Sequence, residues 1–248
     1  MLFRSGVIGT ISYRINGREQ KANNTTPGSL ELQSLLSQMA KSRTRYAVME
    51  VSSHSLDQGR VAGLYFDAAI FTNLTKEHLD YHKTMKRYFA AKAKLFRQLK
   101  KGGTAIINND DSMAAAFKRM AKGSVITYGI KKSSDVTAKN ISMSIDSSDF
   151  TIKARNRTFD VSTRLIGRHN IYNILASAAA AMSLGIKTDA IKRGIGSFRF
   201  VPGRLEPVDT SAPFRIFVDY AHTEDALFNV LSLLKDVMKK GRLITVCA

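Results

Sequence analysis

Arg45-Tyr-Ala-Val-Met-Glu-Val-Ser-Ser-His-Ser-Leu-Asp-Gln-Gly-Arg60 is the stretch around which the rest of the chain is organised. Ala47 to Val51 is a short, nearly continuous apolar run, which predicts a central parallel strand buried on both faces. Glu50 interrupts it near its end, and Ser52, Ser53 and His54 follow at once. Ligands of open α/β sheets gather just beyond the carboxyl ends of the strands. A carboxylate, two hydroxyls and an imidazole delivered there suit a metal and a polar ligand. The plainer alternative is a buried glutamate paired with a nearby cation, beside an ordinary serine-rich turn.

Toward the N-terminus, Gly6 to Thr10 reads as a strand, and Ile11 to Lys21 as a hairpin turning at Asn16-Gly17, a favoured two-residue turn. In Asn23-Asn-Thr-Thr-Pro-Gly28, Thr26 before Pro27 predicts a helix N-cap with proline in the first helical position. Leu32, Leu35, Leu36 and Met39 form the apolar stripe of that helix. Its free N–H groups, with Thr25 and Thr26 beside them, make a candidate anion site. A well-capped helix with no ligand is the plainer reading of these residues.

Toward the C-terminus, Asp67 to Thr72 predicts a second buried strand, running into Asn73-Leu-Thr-Lys-Glu-His-Leu-Asp-Tyr-His82. His54, His78 and His82 follow no zinc spacing and are readable as plain loop histidines. With Glu50, Glu77 and Asp80 the set better suits magnesium and a phosphorylated ligand. The helix predicted from Met85 to Leu99 has an apolar stripe of Met85, Tyr88, Phe89, Phe96 and Leu99, and Lys92 falls in register within it. Such a lysine snorkels, pairs with an acid, loses its proton or is modified.

Thr104 to Asn108 and Val125 to Tyr128 read as further strands of βα units. Residues 135 to 163 alternate in the manner of antiparallel strands. Gly167-Arg-His-Asn-Ile-Tyr-Asn173 opens an Ala-rich helix bearing Ile171, Ile174, Leu175, Ala178 and Met182 on one face, and Thr188 to Ile195 is a second helix. Phe200 to Pro207 reads as a linker. Beyond it come a strand from Phe214 to Val218 ending at Asp219, a helix capped by Thr223, and a strand beginning at Leu243. The expected fold is α/β: a mostly parallel central sheet flanked by helices, a small antiparallel sub-sheet, and the beginning of a second, Rossmann-like α/β domain. That last βαβ unit is too small for a domain, so a truncated product is expected.

At 248 residues and 44% apolar composition the chain can bury a substantial core. Its 38 basic residues against 20 acidic ones give a net charge of +18, which favours anionic partners. The cations are scattered and follow no nucleic-acid-binding signature, so phosphorylated small molecules and nucleic acid both remain open on charge alone. One cysteine, Cys247, excludes an internal disulfide and a multi-cysteine zinc site. No apolar run approaches the ~20 residues of a membrane span, and the N-terminus has no signal-peptide core. A cytoplasmic location without membrane association is expected.

Asn24-Thr-Thr-Pro27, Met49-Glu-Val-Ser-Ser-His54, Gln58-Gly-Arg60, Asn73 to His82, Ala91-Lys-Ala-Lys-Leu-Phe96, His169-Asn-Ile-Tyr-Asn173, Val201-Pro-Gly-Arg-Leu-Glu206 and Val218-Asp-Tyr-Ala-His-Thr223, in this order, resemble the motifs of the Mur ligases. The resemblance covers essentially the whole chain. It implies an ATP-dependent, magnesium-requiring amide ligase of peptidoglycan-precursor synthesis, working through an acyl phosphate. Ser-Ser-His together with Asn-Thr-Thr-Pro points to the branch that adds the third amino acid, meso-diaminopimelate or L-lysine, to UDP-N-acetylmuramoyl-L-alanyl-D-glutamate. By the same resemblance Asn24, Thr25, Thr26, Ser52, Gln58 and Arg60 bind the UDP-muramoyl-dipeptide. Glu50 and His78 correspond to magnesium ligands, Lys92 to a carbamylated lysine that helps hold a second magnesium, and Asn173, Arg204 and Asp219 to positions lining ATP. These make Lys92, Glu50 and His78 the expected catalytic set.

The family's Gly-x-x-Gly-Lys-Thr type phosphate loop is expected before the strand at Gly6, and the chain contains no such sequence. Residues 1–200 are therefore expected to be a central, ATPase-type domain lacking that loop, and 201–248 a linker with the start of a C-terminal domain. Alone, such a fragment is expected to be inactive, and the complete protein a monomer that binds no nucleic acid. A non-catalytic nucleotide-sugar-binding module and a basic nucleic-acid-binding protein are the alternatives.

Overall fold

A computed structural model describes residues 4–222, 224–238 and 240–246. The chain begins with strand β1 (Ser5–Ile8), then the hairpin β2 (Ser12–Ile15) and β3 (Arg18–Lys21). Asn16 and Gly17 both have positive φ, 51° and 82°, as the predicted two-residue turn requires. Helix α1 (Ser29–Lys41) buries Leu32, Leu35 and Met39. Its N-cap is Gly28, which offers no side-chain oxygen, and not Thr26. The Thr26 hydroxyl is engaged elsewhere, with consequences for the site.

Strand β4 (Tyr46–Met49) pairs in parallel with β1, closing a four-stranded sheet of order β3-β2-β1-β4. The expectation of a strand buried on both faces fails here. Among the described residues β4 is an edge, paired on one side only, and Val48 is 60% exposed. The apolar run reports the chemistry of the strand but not how many neighbours it finds.

After α2 (Ser53–Asp57), strand β5 (Phe66–Phe71) opens a second sheet. It continues through α3 (Leu79–His82), α4 (Met85–Arg97), β6 (Leu99–Asn108), α5 (Ala114–Met120), β7 (Ser124–Gly129), β8 (Val136–Met143), β9 (Ser148–Ala154) and β10 (Arg157–Thr163). The strand order is β10-β9-β8-β7-β6-β5, parallel from β5 to β8 and antiparallel from β8 to β10. Leu99, expected on the α4 stripe, starts β6 instead.

Successive β6 residues face opposite layers. Ile106 joins the core under α6 (Arg168–Ser183) and α7 (Thr188–Ser197), while Ala105 and Ile107 join the core under α4 and α5. In the second layer Phe117 is fully buried, its ring 3.9 Å from that of Phe71 and 4.7 Å from that of Phe89.

Beyond α7, β11 (Glu206–Val208) and β12 (Ile216–Val218) pair antiparallel, so the expected linker is partly a strand, and Leu205 is buried against Ile166 and Leu234. Leu234 lies on α8 (Glu224–Val237). Residues 243–246, expected as a strand, have no ladder partner among the described residues and stay irregular. Thr223, the expected cap of α8, and Cys247 lie outside the described residues. No helix among the described residues is long and apolar enough to cross a membrane.

Candidate active site

β1 and β4 run in parallel, so both deliver their carboxyl ends to one side of the sheet. The ladder extends one residue past β4, with Glu50 N–H donating 2.9 Å to the Ile8 carbonyl. This puts the Glu50 carboxylate across the end of β1, where Thr10 Oγ1 donates to Glu50 Oε2 at 2.6 Å. A Cβ at Gly9 would lie 2.8 Å from Glu50 Oε1, so a side chain there would displace the carboxylate. Glu50 is exposed and has no ion-pair partner among the described residues, which removes the alternative of a buried, cation-paired glutamate.

Thr26, 1% exposed, fastens this corner. Its hydroxyl donates to the Glu50 carbonyl at 2.8 Å and accepts the Ser52 N–H at 3.0 Å. Its own carbonyl accepts Arg60 Nη1 at 3.0 Å, and Arg60 Nε donates to Gln58 Oε1 at 2.8 Å. Thr25 Oγ1 lies 3.1 Å from Thr10 Oγ1, and the Asn24 carbonyl accepts the buried Tyr13 hydroxyl at 2.6 Å. Ser52 caps α2 by accepting the Ser55 N–H at 3.1 Å. The structure thus gathers Asn24, Thr25, Thr26, Glu50, Ser52, Gln58 and Arg60 around one strand end. Thr10, which holds the carboxylate, went unsingled in the sequence because nothing but its position at the end of β1 marks it.

A second group joins α2, α3 and α4. The His54 ring centroid is 5.0 Å from that of His78, 4.3 Å from Tyr81 and 5.4 Å from His82. His82 is buried, stacks on Tyr88 at 5.1 Å, and its Nε2 is 2.9 Å from Ser53 Oγ. Burial, with the nearby imidazoles, holds His54 and His82 below the ordinary histidine value against the opposing carboxylates of Asp57 and Asp80. His78 sits at φ 57° and Lys83 at φ 64°, so left-handed non-glycine residues bracket α3. Such conformations persist where surrounding contacts impose them, and here the His78 carbonyl accepts the His82 N–H at 2.9 Å and the Leu79 carbonyl the Lys83 N–H at 3.0 Å.

Lys92 stands beside this loop, its Nζ donating to the Asn73 carbonyl at 3.0 Å and lying 5.1 Å from the Tyr88 ring centroid. Burial draws its ammonium below the ordinary lysine value, partly offset by Glu77 and Asp111. Tyr88 is pushed up to about 12, by burial and then by Glu77. Lys94, one residue pair along α4, instead forms an ion pair with Asp57 at 2.8 Å.

Of the third predicted group, Arg204 and Asp219 lie within electrostatic reach of His169 at the N-terminus of α6. Asn173 stands one turn beyond His169, whose ring is held below its ordinary value by burial, with Asp219 opposing and Arg204 assisting. Asp219 accepts the Leu205 N–H at 2.8 Å and the Ala221 N–H at 2.8 Å, and so pins the segment that carries Arg204.

The chain matches the Mur ligase middle domain over residues 1–181 and the Mur ligase glutamate ligase domain over residues 203–248. The chain belongs to the Mur ligases. Among relatives of this Mur ligase chain, the UDP-N-acetylmuramoyl-L-alanyl-D-glutamate–2,6-diaminopimelate ligase of Bacillus cereus is 43% identical over 95% of the chain and 49% of its own length. The ligase of the same name from Geobacter sulfurreducens is 44% identical over 98% and 48%. A solved structure bearing that ligase name superposes with a TM-score of 0.82 at 32% identity, over 94% of this chain and 48% of that one. The chain therefore spans about half the length of the relatives it matches. MurF from Acinetobacter baumannii, at 22% identity and a TM-score of 0.71, shares the Mur ligase fold.

No group of three or more His, Cys, Asp or Glu side chains among the described residues is placed to hold a metal ion. Magnesium does not need one, because it binds one or two carboxylates and completes its shell with water and phosphate oxygens. Glu50 Oε1, which accepts no hydrogen bond among the described residues, is such a donor.

Proposed function

We propose that the protein to which this chain belongs is an ATP-dependent ligase joining meso-diaminopimelate to UDP-N-acetylmuramoyl-L-alanyl-D-glutamate in cytoplasmic peptidoglycan-precursor synthesis. The names of its relatives support the reading. The observation that carries it is the Thr26 corner, where one hydroxyl and one carbonyl align Glu50, Ser52 and Arg60 at a common strand end. That corner offers a guanidinium, hydroxyls and carboxamides to a polar anionic substrate beside the Glu50 carboxylate, which Thr10 holds through Oε2.

In this reading Asn24, Thr25, Ser52, Gln58 and Arg60 hold the UDP-muramoyl-dipeptide, with Thr26 acting through the bonds that set Ser52 and Arg60 in place, and Asn173, Arg204 and Asp219 line ATP. The substrate carboxylate takes the γ-phosphoryl group, releasing ADP. The amine of the diamino acid then attacks the acyl carbon, phosphate leaves, and the amine loses its proton. Glu50, His78 and a carbamylated Lys92 would hold magnesium, which when bound neutralises charge on the phosphate oxygens. Lys92 reaches the carbamate through its neutral amine, the form that burial favours: nitrogen bonds to the carbon of CO₂ and releases a proton. The anion that results is an oxygen donor suited to a hard cation. Residues 1–200 form the central domain in this assignment and residues 201–248 the start of the C-terminal domain, in a protein that works as a monomer.

Calorimetric titration of UDP-N-acetylmuramoyl-L-alanyl-D-glutamate into this chain should show saturable binding that Arg60→Ala weakens about tenfold, ~1.4 kcal/mol. The full-length protein should release ADP only when that compound and diaminopimelate are both supplied. Absence of binding, or ADP release indifferent to diaminopimelate, would overturn the proposal.

A further inference from the structure

A basic concavity lies between the segment joining β7 to β8 and the β8–β9 hairpin. It has a volume of about 510 Å³, and Lys131, Lys132, Lys139, Lys153 and Arg155 line it with a single acid, Asp135. Strands β8 and β9 build one wall. Val136, Ala138, Ile152 and Ala154 turn into the core, so the alternate residues Thr137, Lys139 and Lys153 stand on the other face, with Thr137 directly opposite Lys153, and Arg155 joins them from the turn after β9.

The segment between β7 and β8 builds the other wall and is tied down from behind. Asp110 accepts the N–H groups of Ile130, Lys131 and Lys132 at 2.7, 2.9 and 2.7 Å, and Asn109 Nδ2 donates to the Ser133 carbonyl at 2.7 Å. Gly129 is required beneath it, because a Cβ there would lie 2.9 Å from Ser134 Oγ and 3.0 Å from Asp110 Oδ2. The one acid is already engaged: Asp135 Oδ2 accepts the N–H and the hydroxyl of Thr127 at 2.8 and 2.7 Å. No cation of the cavity forms an ion pair among the described residues. A merely solvated sheet face needs neither a fixed loop nor like charges converging on one hollow.

We infer that this hollow is a binding site for the diphosphate group of a small molecule. Its volume falls in the range of small-ligand sites, roughly 300–1,000 Å³. Lysines act as point charges for phosphate oxygens, and no aromatic side chain lines the wall to stack a base, so recognition is of the phosphates alone. The inference stands on this cavity and is independent of the ligase reading.

The test is a titration of the isotopically labelled full chain with inorganic pyrophosphate, and separately with a nucleoside diphosphate, following the amide signals of Lys131, Lys139 and Lys153. Both should shift these amides with affinities within about threefold of each other, since a base finds no partner here. Lys139→Gln/Lys153→Gln should weaken pyrophosphate binding at least about tenfold, with unchanged amide dispersion elsewhere showing a folded chain. Lys41→Gln/Lys192→Gln, on α1 and α7, should leave it unchanged. Equal losses from both double variants, shifts with the nucleotide only, or tighter engagement of the same amides by duplex DNA would each overturn the assignment.

Discussion

The Thr26 hydroxyl and the Glu50 carbonyl are 2.8 Å apart, and this bond joins the loop before α1 to the turn after β4 across 24 residues of sequence. The same oxygen accepts from Ser52 at 3.0 Å, in a side chain sealed from solvent. Thr26→Val keeps the shape and removes both bonds, leaving a carbonyl and an N–H unsatisfied. Each such group costs about 1–3 kcal/mol, so urea unfolding should show a loss of about 2–6 kcal/mol, with Thr26→Ser recovering most of it. A loss below about 0.5 kcal/mol would mean that the corner is held by other contacts.

Lys92 and Lys94 share a helix and differ in what they touch. In the full-length protein Lys92→Ala should abolish ligation without unfolding, and acetate or formate should partly restore it by standing in for the carbamate. ¹³C-labelled bicarbonate should give a carbamate signal that Lys92→Ala removes. Lys94→Ala breaks a half-exposed ion pair with Asp57, a contribution of about 0–1 kcal/mol, and should leave ligation nearly intact. Full activity of Lys92→Ala would end the carbamate proposal, and loss of activity without carboxylate rescue would leave Lys92 a structural role only.

His82 supplies a pH dependence. Its folded value is lowered by burial, while in the unfolded chain it titrates near 6.5. Below that value the unfolded state binds the extra proton, so stability present at neutral pH is lost as the pH falls from about 6.5 toward the folded value. Neighbouring His54 and His78 act in the same direction on His82, and Asp57 and Asp80 oppose them. Unfolding free energies between pH 7.5 and 5 should therefore fall less steeply in His82→Asn than in the unaltered chain. Parallel curves would show that His82 titrates alike in both states.

Asp110 gathers four donors: the N–H groups of Ile130, Lys131 and Lys132, and the Tyr172 hydroxyl at 2.6 Å. Tyr172→Phe removes one bond to a carboxylate, worth about 1.5–3 kcal/mol. Asp110→Ala orphans all four donors and should cost more, with faster hydrogen exchange at residues 130–132. If Asp110→Ala destabilised no more than Tyr172→Phe, the backbone bonds would contribute nothing.

How much was legible follows from the range of each interaction. The helices α1, α4 and α6, the Asn16-Gly17 hairpin and the alternating strands β8 to β10 depend on periodicity and turn chemistry within a few residues, and the sequence determined them. The motifs likewise marked the Asn24–Thr26, Glu50–Arg60 and Asn73–Lys92 segments before any contact was visible.

Three outcomes needed the tertiary structure. β4 became an exposed edge because a strand's burial depends on which distant strands pair with it, and β5 started a separate sheet. Thr26 is not a helix cap because its hydroxyl found the Glu50 carbonyl and the Ser52 N–H, partners 24 and 26 residues away. The basic hollow arises where Lys131 and Lys132 of one loop meet Lys139, Lys153 and Arg155 of a hairpin. Local propensity acts over a turn or two of chain and is written in the sequence. The convergence of charges and hydrogen bonds is set by through-space distance, which only packing decides.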